Sequence, residues 1–146
     1  MDPNYVRTHF YLAQAYEQKE MFEEALAELG RGNLLEGDSP SEVAKGEAAI
    51  RNAFRLSGAS GYWRMRLNIV KEEARRTKRV YLTGSFTTLA VLHARVGERD
   101  QAFKWFEKVY EDREPSLLWL KVTPDCDNLR SDPRFRDLLR RVNFPM

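Results

Sequence analysis

Apolar residues return every three or four positions along most of the chain, the period of a helix with one buried face. Over residues 5–18, Leu12 and Tyr16 mark that face, and over 22–35 Phe22, Leu26 and Leu29 continue it. The polar stretch Glu17-Gln18-Lys19-Glu20 between them is too short for anything but an antiparallel turn. Gly37 then stops the second helix, Ser39 suits a cap and Pro40 a first turn. The same reading predicts helices over 40–56, with Val43, Ile50, Ala53 and Phe54 inward, and over 60–77, with Tyr62, Trp63, Leu67 and Val70 inward. "LSGASG" separates them. After a connection capped by Thr83 or Ser85, a further pair is predicted at about 84–96 and 99–112, turning at Gly97. Its inward residues are Phe86, Leu89, Leu92 and Val96, then Ala102, Phe106 and Val109.

Beyond Pro115 the period changes. "SLLWLKV" is short and apolar, and with no second strand to pair with it reads as a helical turn. Ser131 as cap and Pro133 in the first turn open a last short helix with Phe135, Leu138, Leu139 and Val142 inward. The pattern therefore predicts an all-α chain of helix pairs at about 5–35, 40–77 and 84–112, closed by a C-terminal cap over 116–142. At 146 residues this is expected to be a single domain.

The small residues need a reason. Ala13, Ala15 and Ala25 sit among the large apolar residues of the first pair, where a buried face ordinarily carries more bulk. The stretches "HFYLAQAYEQKEMFEEALAEL" (9–29) and "FTTLAVLHARVGERDQAFKWF" (86–106) answer this, because they align at a fixed offset of 77 residues. Leu12-Ala13 falls on Leu89-Ala90, Tyr16 on His93, Glu20 on Gly97, Ala25 on Ala102 and Leu29 on Phe106. Helix propensity explains an alanine. It does not explain the return of a whole pattern. Small side chains at Ala13 and Ala25 let two helices cross closely enough for their large neighbours to interlock.

This pattern resembles the tetratricopeptide repeat, with His9 and Phe86 in the first aromatic place, Leu-Ala in the second, Tyr16 and His93 in the third, and Ala25 and Ala102 in the fourth. Leu29 and Phe106 take the fifth place, and Gly37 and Pro115 stand near the last. Two periods of about 34 residues plus nine extra residues give the offset. The middle unit keeps helix lengths but not the small-residue signature. The tail, "LLWLKVTPDCDNLRSDPRFRDLLRRV", and "GYWRMRLNIVKEEARR" are similar to the closing segment of bacterial multidomain regulators. In those, repeats follow a winged-helix, Ser/Thr kinase or nucleotide cyclase domain. The resemblance implies a short TPR-like right-handed solenoid of stacked antiparallel pairs with a capping helix. It also implies that Trp119, Leu129, Phe135 and Leu139 cover the sixth helix. "DPN" before Tyr5 reads as the end of a preceding repeat, so the chain is expected to be the C-terminal piece of a longer protein.

Bulk properties narrow the role little further. Hydrophobic residues make up 42% and charged residues 32%, and no apolar run is long enough to span a bilayer. The N-terminus lacks a secretory pattern. The lone Cys126 cannot form an internal disulfide, and the expectation is cytoplasmic. Net charge is +2 overall, but residues 1–50 carry −6 and the remainder +8. The basic run Arg64, Arg66, Lys71, Arg75, Arg76, Lys78 and Arg79 raises nucleic acid as a partner. Glu72 and Glu73 interrupt it and no stacking aromatics interleave it, which argues against that reading.

Chemistry is sparse. His9 and His93 occupy places the repeat gives to aromatics and read as packing residues. One cysteine, without H-x-x-x-H or C-x-x-C spacing, disfavours zinc. Asp125-Cys126-Asp127 after Pro124 reads as a turn whose aspartates bond local amides. "GASG" (58–61) reads as a hinge between helices. No catalytic, cofactor-binding or metal-binding residues are expected, and no enzyme activity. Binding is favoured instead, because the resemblance places the first helix of each pair on a concave groove. That groove is lined by Arg7, Phe10, Gln14, Glu17 and Gln18, and by Thr87, Val91 and Arg95. Phe10 and Gln14 stand where some family members use Lys and Asn to hold a peptide carboxylate, so an internal peptide segment or a neighbouring domain of the same chain is the expected partner. The expected function is a non-catalytic protein-interaction scaffold in a bacterial signalling or transcription protein. A small-ligand or nucleic-acid-binding helical domain is the alternative.

Overall fold

Small residues, tight turns and glycine contacts dictate most of the observed architecture. The computed structural model describes residues 5–77 and 86–142. Among the described residues every regular element is helical: α1 Val6–Gln18, α2 Phe22–Glu36, α3 Pro40–Thr77, α4 Phe86–Arg95, α5 Arg99–Glu111 and α6 Pro133–Arg141. Two 3-10 helices, Pro115–Trp119 and Pro124–Leu129, lie between α5 and α6. The connection expected over 78–85, with its Thr83 or Ser85 cap, lies outside the described residues. The chain divides into two compact units, one up to Met65 and one from Arg66 onward.

In the first unit α1 and α2 form an antiparallel pair. The chain reverses at Lys19–Met21, where Glu20 takes the left-handed φ of 57° and the Met21 amide donates to the Tyr16 carbonyl at 2.9 Å. His9, near the start of α1, meets Glu28 of α2 at 2.6 Å. One turn towards the connection, α1 reaches Ala13 and α2 reaches Ala25. Both are buried, 1% and 0% exposed, so the small residues sit where the two helices face each other. Ala15, expected on the same face, is exposed. It lies two positions from Ala13, and residues two apart on a helix point in different directions.

Two glycines extend the close approach. A Cβ at Gly32 would lie 2.6 Å from the ring of Phe10, so Phe10 is seated on bare backbone. A Cβ at Gly30 would meet the carboxylate of Glu47 at 2.1 Å. Gly37 then ends α2 in the left-handed region at φ 108°. The Asp38 and Gly37 amides donate back to Asn33 and Leu34, which satisfies the last carbonyls. The Glu42 amide donates to Ser39 Oγ at 3.2 Å, the cap the sequence placed there.

The interruption expected at "LSGASG" narrows to one residue. Only Gly58 leaves helical geometry, with φ 63° and ψ −148°, a region open essentially to glycine. The chain folds back sharply there, because a Cβ on Gly61 would lie 2.2 Å from the carbonyl oxygen of Ala53. Eight residues of unbroken helix would separate those positions by about 12 Å. The segment is thus a close-packed elbow rather than a loose hinge. The elbow brings residues from both of its sides onto one ring. Phe22 lies 5.2 Å from Phe54, 4.3 Å from Tyr62 and 6.1 Å from Trp63, centroid to centroid. Tyr62 is fully buried, while Phe54 keeps 39% of its surface exposed although the sequence pattern placed it inward. It covers the outer edge of Phe22.

The second unit repeats the hairpin. α4 and α5 reverse at Val96–Glu98, with Gly97 at φ 83° and the Glu98 amide donating to the His93 carbonyl at 2.9 Å. Met21 and Glu98, 77 positions apart, share φ −88° with ψ 70° and 69°. Their carbonyls accept from Ala25 and Ala102 at 3.0 Å in both turns. Ala90 and Ala102 are wholly buried, as their counterparts are. The internal repeat seen in the sequence is therefore a repeat of structure, down to individual hydrogen bonds.

The tail divides its work. The 3-10 helix Pro124–Leu129 packs on α4, and α6 packs on α5. Leu117, Leu120, Cys126, Leu129, Phe135 and Leu138 join Ala90, Ala94, Phe103, Phe106 and Val109 in one buried cluster. The Asn128 amide donates to the Ala94 carbonyl at 2.8 Å, satisfying a carbonyl in the last turn of α4. Two expectations change here. Asp132, not Ser131, caps α6 by accepting from the Arg134 amide at 2.9 Å, which leaves Pro133 as the first helical residue. Trp119 does not cover α5, the helix expected over 99–112, because it stands 66% exposed beside Leu118 and Val122. The five-residue 3-10 helix turns Leu117 inward and Leu118 and Trp119 outward.

The elbow yields a stability prediction. Gly61→Ala drives a methyl into backbone that cannot yield, and should cost about 3 kcal/mol or more. Gly58→Ala meets no neighbour within 4 Å and should cost only backbone strain, about 1–3 kcal/mol. Urea unfolding followed by circular dichroism measures both. Wild-type stability in Gly61→Ala would show that the elbow is open.

Candidate functional site

The exposed side of α1 follows from its own periodicity. His9, Ala13 and Glu17, four residues apart, are its buried stripe. The opposite stripe is Arg7, Tyr11, Gln14 and Gln18, spaced by four, three and four residues. Arg7, Tyr11 and Gln14 are exposed and Gln18 is half-buried. Tyr11, at 62% exposure, is the most prominent aromatic of the first unit. The sequence reading passed over it, because the family geometry centres the groove about one residue further round the helix. Its spacing from Arg7 and Gln14 was the available signal.

Of the groove residues expected from sequence, Arg7, Gln14 and Gln18 share this stripe. Phe10 and Glu17 turn away from it. Phe10 packs on Gly32, and the buried Glu17 carboxylate accepts from the Tyr62 hydroxyl at 2.6 Å. In the second unit Thr87, Val91 and Arg95 are each half-buried and already engaged. Thr87 Oγ1 lies 2.6 Å from Ser116 Oγ and donates to Glu114 at 3.2 Å. Val91 packs on the buried cluster. Arg95 donates to the buried Asp125 at 2.8 Å. The tail thus occupies the face of α4 that the family geometry assigns to a groove.

The histidines and the cysteine are packed into the fold. His93 is 2% exposed with Nδ1 3.5 Å from the Glu98 carboxylate. His9 is bonded to Glu28. Cys126 is fully buried in the second unit's core. Burial, reinforced by the negative charge of Asp125, pushes its thiol up to about 12, so it stays protonated and non-nucleophilic at neutral pH. Its neighbours serve the fold: Asp125 holds Arg95, and Asp127 accepts from Arg130 at 2.8 Å. Among the described residues no group of three or more His, Cys, Asp or Glu is placed to hold a metal. No described helix is long and apolar enough to cross a membrane.

In the basic run, Arg64, Lys71, Arg75 and Arg76 are exposed. The Arg75 guanidinium donates to both carboxylate oxygens of Glu72, at 2.8 and 2.7 Å, which offsets part of the run's charge. Lys78 and Arg79 lie outside the described residues. No protein-family model matches the chain, and searches of curated proteins and of solved structures also find no match.

The state of Cys126 can be tested with a thiol reagent. At about pH 8 the native protein should react with iodoacetamide at least on the order of 100-fold more slowly than the urea-unfolded chain. Equal rates would place the thiol at the surface.

Proposed function

We propose that the chain is a non-catalytic protein-interaction scaffold built from tetratricopeptide-like helix pairs, acting as a regulatory module in a bacterial signalling or transcription protein. The repeated turn and the paired buried alanines support the tetratricopeptide reading. The observation that carries the binding role is the α1 stripe of Arg7, Tyr11, Gln14 and Gln18. It is an aromatic flanked by a guanidinium and side-chain amides, on a helix whose other side is fixed by packing. Tyrosine and arginine are the residues that most often anchor protein interfaces. A rigid helix presents them at little further cost in conformational entropy. The partner is read as an internal peptide segment or a neighbouring domain. The Lys and Asn that would clamp a terminal carboxylate are replaced by Phe10, which is seated on Gly32, and by Gln14.

A displayed library of linear peptides, selected against the full chain, tests this reading. Peptides should be enriched, and Tyr11→Ala or Arg7→Glu should weaken their binding about tenfold or more. Both residues are exposed, so neither change should alter the fold. Failure to enrich peptides, or equal binding by wild type and both variants, would overturn it.

A further inference from the structure

The first helix pair buries an acid and a base where the second carries aromatics. His9 Nδ1 lies 2.6 Å from Glu28 Oε2, and each residue is less than a tenth exposed. The positions 77 residues on are Phe86 and Trp105. A repeat position that elsewhere takes apolar bulk here takes an ionisable pair, between the two helices whose close crossing defines the unit.

We propose that His9 and Glu28 form a proton-operated latch across α1 and α2. With neutral imidazole, Nδ1–H donates to the Glu28 carboxylate. With imidazolium the same bond joins opposite charges in a site shielded from water, where a charge-assisted bond is stronger. The direct contact with the Glu28 carboxylate favours the second state. From α2, Arg31 donates to the other oxygen of Glu28, but its side chain is 60% exposed and its charge is screened. From α3, the Glu47 carboxylate reaches over Gly30 and the Tyr62 hydroxyl bonds Glu17. From α1 itself, Glu17 lies two turns along the same buried stripe. The charge that acts on His9 most directly is the Glu28 carboxylate, in contact at 2.6 Å.

The sign follows by linkage. The folded chain holds the His9 proton more tightly than the unfolded chain, whose histidines titrate near the ordinary value of about 6.5. The added stability is therefore fully present below that value and is lost as pH rises through the folded protein's own titration. Acidification tightens the first helix pair, and mild alkalinity loosens it.

Urea unfolding of the full chain at about pH 5.5 and pH 8 tests the latch. The wild-type midpoint should be lower at pH 8 by on the order of 0.5 M. Glu28→Gln keeps a hydrogen-bond acceptor without the charge and should remove most of that difference, while His93, retained in both proteins, contributes equally to each. Imidazole nitrogen NMR of the wild type gives a second readout that does not rest on the stability of Glu28→Gln. The sequence holds two histidines, and the His9 signal is assigned by its loss in His9→Phe. It should titrate at higher pH in the native protein than in urea. Native titration at or below the unfolded value overturns the proposal, as does an unchanged pH dependence in Glu28→Gln.

Discussion

Two helices can cross closely only where the residues between them are small, and everything distinctive in this chain follows from meeting that constraint twice. Ala13 and Ala25 provide the space in the first pair, Ala90 and Ala102 in the second. The approach then brings large residues within reach of the opposite helix. Phe10 reaches Gly32 and His9 reaches Glu28. The turns are held to the same geometry by the same hydrogen bonds, although one uses Gly97 and the other forces Glu20 to a left-handed φ. That a non-glycine residue accepts such a conformation indicates that packing, not turn propensity, sets where the chain reverses.

The two units finish their cores differently. In the first, a glycine elbow returns Tyr62 and Trp63 to the ring of Phe22, and the Tyr62 hydroxyl satisfies a buried glutamate. In the second, the tail supplies apolar side chains to the core, an amide for a helix carbonyl and a carboxylate for Arg95. The buried carboxylates of Glu17 and Asp125 are thereby matched with donors, one in each unit, as burial favours. The tail's coverage of α4 also shifts the binding reading towards α1, where Arg7, Tyr11 and Gln14 are exposed.

Much of the fold was legible because it rests on local signals. Periodicity gave the helices, Gly37 and Gly97 their stops, and the 77-residue offset the repeated hairpin. The misreadings share a cause, since each depends on a contact between residues distant in sequence. "GASG" looked like a hinge because nothing local shows that Gly61 meets Ala53. Trp119 looked like core because its neighbours are apolar, whereas the 3-10 geometry turns it outward. Ser131 and Asp132 are both capping residues, and only the chain's path selects the second. Phe10 and Glu17, expected to line a groove, turn instead to Gly32 and Tyr62, while Tyr11 is exposed beside Arg7 and Gln14. The His9–Glu28 pair was invisible, since its members are 19 residues apart and each alone reads as a packing or surface residue.

The central claim, that alanine is required where the helices cross, is tested most directly by adding bulk at one alanine and not at its neighbour. The unfolding free energies of Ala25→Leu and Ala15→Leu, measured side by side on the full chain, make the comparison. The account predicts a loss of about 1–3 kcal/mol for Ala25→Leu from overpacking, and almost none for the exposed Ala15→Leu. Equal stability of the two variants would contradict it.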